Sequence, residues 1–340
     1  MKRDFRRSTA WDVAELAGVS QSTVSRVFTG SARISTPTRE RVLQAARELD
    51  YIPDKRASRL RSGQIGVIAV VVVTRSQDSA QEINPFAYIL LGSVCRAASA
   101  RGYETLVSFQ SSEDDFYGRY VERRDADAMV VLGTTQNPAA WDYFRPLLQE
   151  DGPAICWGLP FDDANSVRSD NRMGGELAAG HLWQQGYRQP VFIGPIGNDQ
   201  LQFHERYLGF SQALSKHGIN PLVEKEFSSL NRFEQGREAI ARLESAGQSY
   251  DAIFAACDFI ALGALDALAE RGIKVPQDVG IVGYDGLAAT AHSSSPLTTI
   301  KPDLEEAGRQ LVASVLEEEH DSAHPLAPVE LISRASTQRG

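Results

Sequence analysis

The 340-residue chain is poor in cysteine, in spaced histidines and in long apolar runs. Its three cysteines, Cys95, Cys156 and Cys257, lie far apart with no CxxC pair, which argues against a disulfide framework and against a zinc site. The six histidines have no ligand spacing, so neither a metal nor any other cofactor is expected. The longest apolar run, Ile65 to Val73, is about half of what a bilayer span needs. The charged start MKRDFRRSTAWD has no apolar core of an export signal behind it. A cytoplasmic location without membrane contact is therefore expected. Catalytic signals are equally thin. Gly194-Pro195-Ile196-Gly197 lacks the glycine fingerprint of dinucleotide sites. Ser293-Ser294-Ser295-Pro296 has no His and Asp placed to activate a nucleophile. No catalytic residue is assigned.

What the chain does have is an uneven distribution of charge. The formal net charge is −9. Residues 1–62 carry 13 Lys/Arg against 7 Asp/Glu, net +6, and subtraction leaves 22 basic against 37 acidic residues in 63–340, net −15. A basic module on an acidic body suits phosphate contact at one end and a solvated body at the other. The length allows two or three folding units.

The basic module reads as a helix pair. In WDVAELAGVSQSTVSRV, spanning Trp11–Val27, the spacing puts Val13, Leu16 and Ala17 on one face of a first helix. Val24, Val27 and Phe28 fall on one face of a second. Gly18 permits a sharp turn, Val19 fills the space between the helices, and Ser20 caps the second. Thr9 caps the first, with Asp12 three residues on. The second helix begins Gln21-Ser22-Thr23 and continues through Ser25 and Arg26, which places short polar side chains and one long donor on its outward face, as major-groove reading needs. A third amphipathic helix, from Thr36 or Thr38 to Leu49, offers Val42, Leu43, Ala46 and Leu49 to the same core.

These residues, AWDVAELAGVSQSTVSRVF followed by RISTPTRERVLQAARELDYIPD, resemble the headpiece of the lactose/galactose repressor family. The resemblance implies a headpiece over 1–52, with Gln21, Ser22 and Arg26 reading bases and Thr9, Ser20, Thr23 and Ser25 binding phosphates. It implies a hinge over 53–63 that becomes helical when two subunits meet over the minor groove. There Leu60 wedges into the central base step, Ala57 lies on the groove floor, and Lys55, Arg59 and Arg61 face phosphate. On spacing alone, Leu60 could instead rest on the body of the protein.

From Gln64 onward short β-branched runs alternate with helical stretches: IGVIAVVVV and a helix over Ala87–Arg101, TLVSF and a helix, AMVVLG and a helix, then PAICWG. The pattern restarts after Asp170 with helices over Gly174–Gln185, Glu205–His217, Phe233–Ala246 and Ala261–Glu270, interleaved with PVFIGP, AIFAA and VGIVGYD. Alternation of this kind predicts parallel sheets with helices on both faces, and the restart predicts two lobes. The segments DNRMGGELAAGHLWQQGYRQPVFIGP and DAIFAACDFIALGALDALAERGIKVPQDVGIVGYD extend the resemblance over essentially the whole chain. It implies an all-α headpiece joined to a periplasmic-binding-protein-like α/β domain over 64–340. The lobes are then an N-lobe over about 64–165 and 302–328 and a C-lobe over about 166–301 and 329–340, with crossovers near 163–166, 301 and 327–329.

In the cleft of such a domain the resemblance puts Arg206 and Asp285 at strand ends, either gripping the hydroxyls of a polyol or forming a structural inter-lobe salt bridge. Phe227 and Phe254 map to stacking positions, Asp258 to a loop-orienting one, and Phe86 and Trp157 to the wall. The chain departs from the family pattern in three places. Cys257 stands where an asparagine is frequent, Gly158 where an aspartate is, and Ala87 where an aromatic is. Nothing beside Cys257 in the sequence would stabilise a thiolate, so it reads as pocket wall. The function implied is a non-enzymatic transcriptional repressor that binds double-stranded, pseudo-palindromic operator DNA as a homodimer. A small sugar-like effector would control it. Two further readings stay open: a cytoplasmic solute-binding receptor, and a regulator with a phosphoprotein co-effector.

Overall fold

The fold comes from a computed structural model that describes residues 8–28, 31, 33–51, 63–75, 84–133, 136–150, 152–159, 164–197, 200–316 and 326–339. The chain divides into two compact units, Met1–Gly66 and Val67–Gly340.

The first unit holds α1 (Ala10–Ala17), α2 (Gln21–Phe28) and α3 (Thr36–Glu48). Thr9 caps α1 in a reciprocal box: its side chain accepts from the Asp12 amide, and its own amide donates to the Asp12 carboxylate at 2.6 Å. Two orphan backbone donors are satisfied by one pair of residues. Gly18 ends the helix at φ 65°, a left-handed conformation that glycine adopts without Cβ strain. The core is Val13, Ala14, Ala17, Val24, Val27, Val42, Ala45 and Ala46. Four alanines among eight core residues let the short helices approach closely. Two sequence expectations fail here. Leu16 is 51% exposed and Leu43 37%, because the buried stripes run through Val13, Ala14 and Ala17 and through Val42, Ala45 and Ala46. The leucines fall on the edges of those stripes.

The second unit contains two six-stranded sheets. The first has the order β11-β5-β4-β3-β1-β2, from β1 (Val67–Val73), β2 (Glu104–Gln110), β3 (Ala128–Leu132), β4 (Ala154–Trp157), β5 (Ser166–Ser169) and β11 (Leu326–Ala327). Its pairings are all parallel. The second has the order β12-β10-β9-β8-β6-β7, from β6 (Pro190–Ile193), β7 (Leu222–Glu224), β8 (Ala252–Ala255), β9 (Gly280–Tyr284), β10 (Thr298–Pro302) and β12 (Val329–Ile332). Among the described strands only β12 runs antiparallel, against β10. The central strands VIAVVVV, AMVVL and AIFA are buried almost end to end, as parallel strands covered on both faces must be.

Helices α4 (Pro85–Ala100), α5 (Pro138–Gln149) and α10 (Leu304–Leu316) accompany the first sheet. Helices α6 (Asn171–Gln184), α7 (Leu201–Ser215), α8 (Arg232–Ser245) and α9 (Asp258–Glu270) accompany the second. The helix expected after TLVSF is not there: residues 111–127 form turns and bends. The Asp115 carboxylate accepts from the Ser111 and Ser112 amides and Gln110 Oε1 accepts from the Tyr117 amide, so side chains capture the donors a helix would have used.

The chain passes between the lobes three times. The first passage lies later than the expected 163–166, because β5 still pairs with β4 (Cys156 opposite Ser166) in the first sheet, and the second lobe starts at α6. The second follows β10 at Pro302, and the third falls at Pro328, between β11 and β12.

Candidate functional site

On the headpiece, Val24 and Val27 turn inward and leave the opposite side of α2 to polar groups. Ser22 and Arg26, one turn apart, are exposed, and Gln21, Thr23 and Ser25 are half-buried. The Ser20 hydroxyl accepts from the Thr23 amide at 3.2 Å and lies 2.8 Å from the Ser22 hydroxyl, which fixes the N-terminal end of the helix. At the other end Arg39 donates to the carbonyls of Val27 and Ser31, bracing the last turn from α3. Thr9 is exposed at the start of α1. No acidic side chain occurs in QSTVSRVF, so nothing on this helix repels a phosphate backbone. Lys55, Ala57, Arg59, Leu60 and Arg61 lie outside the described residues.

In the second unit a cavity of about 460 Å³ opens between the lobes, at the carboxyl ends of the strands, where open α/β sheets bind ligands. Arg75 follows β1, Gly133 follows β3, Trp157 ends β4, Cys257 follows β8 and Asp285 follows β9. Helix starts supply the rest: Phe86 in α4, Gln202, Phe203 and Arg206 in α7, Arg232 and Phe233 in α8, Phe259 in α9. Among the described residues hydrogen bonds cross the opening from Gln202 Nε2 to the Gly158 carbonyl at 3.3 Å and from Gln136 Nε2 to the Leu230 carbonyl at 2.5 Å, and the Tyr284 hydroxyl of the second sheet donates to Ser169 Oγ of the first at 3.2 Å.

Glycines explain why these helices can stand where they do. A Cβ on Gly175 of α6 would run into the backbone of Arg206 and Phe210 in α7, and one on Gly209 of α7 into the backbone of Arg172 in α6. The same reciprocal arrangement joins α8 to α9, where Gly236 faces the Ile260 carbonyl and Gly263 the Phe233 carbonyl. Backbone-to-backbone contact of this closeness needs a residue with no side chain. Both crossings hold cavity residues: Arg206 on α7, Arg232 and Phe233 on α8, Phe259 on α9.

Arg206 is held on several sides. Its Nε donates to Asn171 Oδ1 at 2.9 Å, its Nη1 to the Ala256 carbonyl at 2.5 Å, and its guanidinium lies 3.5 Å from the centre of the Tyr284 ring. Nη1 is 3.8 Å from Asp285 Oδ1. Both partners of this ion pair belong to the second sheet's lobe, so it does not bridge the lobes. Asp285 itself adopts φ 118°, a backbone conformation that costs a residue with a Cβ about 1–3 kcal/mol and that clusters at ligand sites. Burial pushes its carboxyl up to about 6, against the pull of Arg206 and Arg232.

Five of the eight expected cleft residues line the cavity: Phe86, Trp157, Arg206, Cys257 and Asp285. Three do not. Phe254 is fully buried in β8, with its ring centre 4.9 Å from that of Phe210 and 5.6 Å from that of Phe192. It points into the helix layer and is a core residue. Phe227, beyond β7, packs on the same core. Asp258 lies behind the wall, where its carboxylate accepts from the Leu287 amide at 2.8 Å and the Thr299 hydroxyl at 2.7 Å. It ties the β8–α9 turn to the segment after β9 and to β10. Burial, then the nearby Asp285, pushes its carboxyl up to about 8. The Cys257 thiol is likewise pushed up to about 12, mainly by burial, and is a neutral wall group. The aromatic wall that sequence reasoning sought in Phe227 and Phe254 is built instead by Phe203, Phe233 and Phe259. Each sits in the first turn of a helix that follows a strand, and that position is the signal that could have found them.

A helix-turn-helix unit and a two-lobed α/β unit with a cleft at its strand ends define a class: a DNA-binding protein that carries its own ligand-sensing domain. Residues 9–54 match the family described as bacterial regulatory proteins, lacI family, and residues 179–337 match a periplasmic binding protein-like domain. The HTH-type transcriptional regulator CelR of Thermobifida fusca is 33% identical over 317 residues, which cover 90% of each chain. A crystal structure of the Lac repressor dimer bound to operator and the anti-inducer ONPF superposes with a TM-score of 0.71 at 26% identity, covering 98% of this chain and 100% of that one. A structure of a CelR–cellobiose complex gives 0.65 at 27% identity, covering 97% and 100%. The chain belongs to the lacI family of bacterial regulatory proteins. It is a DNA-binding transcriptional regulator and not an enzyme. Among the described residues no helix is long and apolar enough to cross a membrane.

Proposed function

We propose that this regulator is a repressor that binds a pseudo-palindromic operator as a homodimer in the cytoplasm, and that a sugar or sugar derivative in the inter-lobe cleft sets its operator affinity. The observation that carries the effector half is Arg206 beside Asp285 in a cavity walled by aromatic rings. Fixed donors and an acceptor orient hydroxyls, while ring faces take the apolar side of a sugar. The names of the relatives agree, since one of the similar structures is a complex with cellobiose.

Gln21, Ser22 and Arg26 are the proposed base readers, and Thr9, Ser20, Thr23 and Ser25 the phosphate contacts. Lys55, Ala57, Arg59, Leu60 and Arg61 are proposed to join them when two subunits meet on DNA. Support for the dimer comes from α4 and the edge strand β2, where Tyr88, Ile89, Leu106, Val107 and Phe109 are all exposed. Such an apolar strip on a sheet edge is rarely left bare on a monomer.

The test is selection of a binding site from random duplexes by the full chain, followed by titration of that duplex with and without a panel of sugars. One sugar is expected to change affinity by about 5–150-fold, the usual range of allosteric coupling. Asp285→Asn is expected to abolish that response and leave DNA binding alone intact. Failure to enrich any duplex, or an operator affinity indifferent to every sugar, refutes the proposal.

A further inference from the structure

We propose that Asn171 is a positioning residue that ties Arg206 to strand β5 of the first lobe, so that a ligand pulling on Arg206 in the cleft is felt at the first passage between the lobes. This rests on the effector reading above and adds the route by which the cleft acts on the lobes.

Asn171 opens α6 and is buried. A side-chain amide offers one oxygen with two lone pairs and one NH2 group. Here the oxygen accepts twice, from the Ser169 hydroxyl at 2.9 Å and from Arg206 Nε at 2.9 Å, while Nδ2 donates to Glu205 Oε2 at 2.9 Å. Two donors at one end and a carboxylate at the other leave the amide a single orientation. Glu205 and Arg206 are successive residues of α7, about 100° apart around the helix axis. Asn171 therefore holds that helix on two flanks.

The grip continues into the first lobe. Ser169 ends β5, and its hydroxyl also accepts from the Tyr284 hydroxyl at 3.2 Å, while the Tyr284 ring centre lies 3.5 Å from the Arg206 guanidinium. Ser169, Asn171, Arg206 and Tyr284 thus close a circuit whose members come from β5, α6, α7 and β9, and all four are buried. Arg168 of β5 lies 3.4 Å from Glu205, a second tie between the same strand and helix. Backbone bonds then lace the three passages together, from the Asp170 amide to the Ala327 carbonyl at 2.9 Å and from the Asp303 amide to the Pro328 carbonyl at 2.8 Å. Because α6 and α7 touch backbone to backbone at Gly175 and Gly209, the pair shifts as one piece. A buried hydrogen bond that breaks finds no water to replace it, so the full desolvation cost falls on the polar groups left behind. The circuit therefore holds or moves as a unit, and a shift of Arg206 reaches Ser169 through the one amide between them.

Hydrogen exchange of the full chain, read by mass spectrometry, tests the route without any effector. Arg206→Lys keeps the charge and removes the Nε donor. It is expected to speed exchange of amides in 166–172 and 326–330 by about fivefold or more, the effect of losing one buried hydrogen bond. Helix α9, in the same lobe but outside the circuit, is expected to stay unchanged. In an Asn171→Ala background the same replacement is expected to add less than about twofold, because the route is already cut. Ser169→Ala, which severs β5 and leaves the Arg206 bond, takes its place if Asn171→Ala does not fold. Additive effects in these backgrounds overturn the inference. A rescue that leaves Arg206 alone separates positioning from bulk stability. Asn171→Asp sets a carboxylate against Glu205 and is expected to speed the same exchange by about fivefold. Adding Glu205→Gln reverses the direction of that bond and restores the original total charge, so exchange is expected to return to within about twofold of wild type. Absence of rescue overturns the inference as well. Where a sugar of the panel shifts operator affinity, Asn171→Asp is expected to shrink the shift by about fivefold and the double variant to restore it; a shift indifferent to both refutes the route. If no sugar acts and the exchange results come out as expected, the effector reading falls and the circuit stands.

Discussion

Replacing Gly175 by alanine tests how the cleft is assembled. In α6 the added methyl points at the carbonyl of Arg206 and the amide of Phe210, both backbone atoms of α7. No rotamer change can clear them, so α6 and α7 must part by on the order of 1 Å to reach normal contact distances. Overpacking of this kind costs about 3 kcal/mol, the upper end of the usual range. Removing a helical glycine returns about 1 kcal/mol, which leaves a net loss of about 2 kcal/mol. For a unit of this size that is a fall of roughly 4–8 °C in the unfolding midpoint. Gly180, in the same helix, is the internal control, because a Cβ there meets nothing within 4 Å. Gly180→Ala receives the propensity gain alone, worth a rise of roughly 2–4 °C. Arg206 rides on the displaced helix, so Gly175→Ala also weakens effector binding while Gly180→Ala does not. The two variants are compared by thermal melts and by calorimetric effector titration. Equal midpoints, or a more stable Gly175→Ala, would refute the claim that the α6–α7 crossing depends on backbone contact.

Two further outcomes follow from the same geometry. Asp258 and Asp285 have carboxyls raised to about 8 and about 6 by burial, against an unfolded value near 3.8. In that window the native state holds protons that the unfolded chain has released, so their contribution to stability is present in mild acid and is lost as pH rises through the native values. Asp258→Asn keeps an acceptor for the Leu287 amide and removes one of the two ionisations. Its melting midpoint is expected to decline less than wild type between mildly acidic and mildly alkaline buffer, and parallel slopes would count against it. At the proposed dimer strip, Phe109→Arg puts a charge on the exposed face of edge strand β2. Sedimentation should then show monomers and a loss of operator affinity, with the thermal midpoint of an isolated unit unchanged.

The features legible in the sequence are those that local rules decide. Thr9 with Asp12, Gly18 and Ser20 satisfy backbone donors within a few residues of themselves, so caps and turn could be placed without knowing the tertiary fold. The buried strands VIAVVVV and AMVVL are legible because a strand covered on both faces is apolar throughout. Leu16 and Leu43 were misplaced because periodicity gives a face but not its width, and here alanines fill the narrow inner stripe. Phe254 was misplaced for a related reason: in a parallel strand one residue faces the cleft end and its neighbours face the helix layers, and sequence spacing does not say which. Phe203, Phe233, Phe259 and Arg232 were missed because, within their own helices, they are ordinary amphipathic positions. Their role comes from where the preceding strand stops.

The cleft also departs from what stability alone would select, and the departures agree with one another. Asp285 is held at φ 118°, its carboxyl is buried, and Asp258 is buried behind the same wall. Each of these features costs free energy. Among the described residues, Gln202 and Gln136 hydrogen-bond across the opening, and Tyr284 with Ser169 and Arg168 with Glu205 also join the two lobes. A cleft that holds buried carboxyls and a strained backbone gains most when a ligand supplies contacts that offset those costs. The differential affinity between lobe arrangements is what can be transmitted as allosteric coupling.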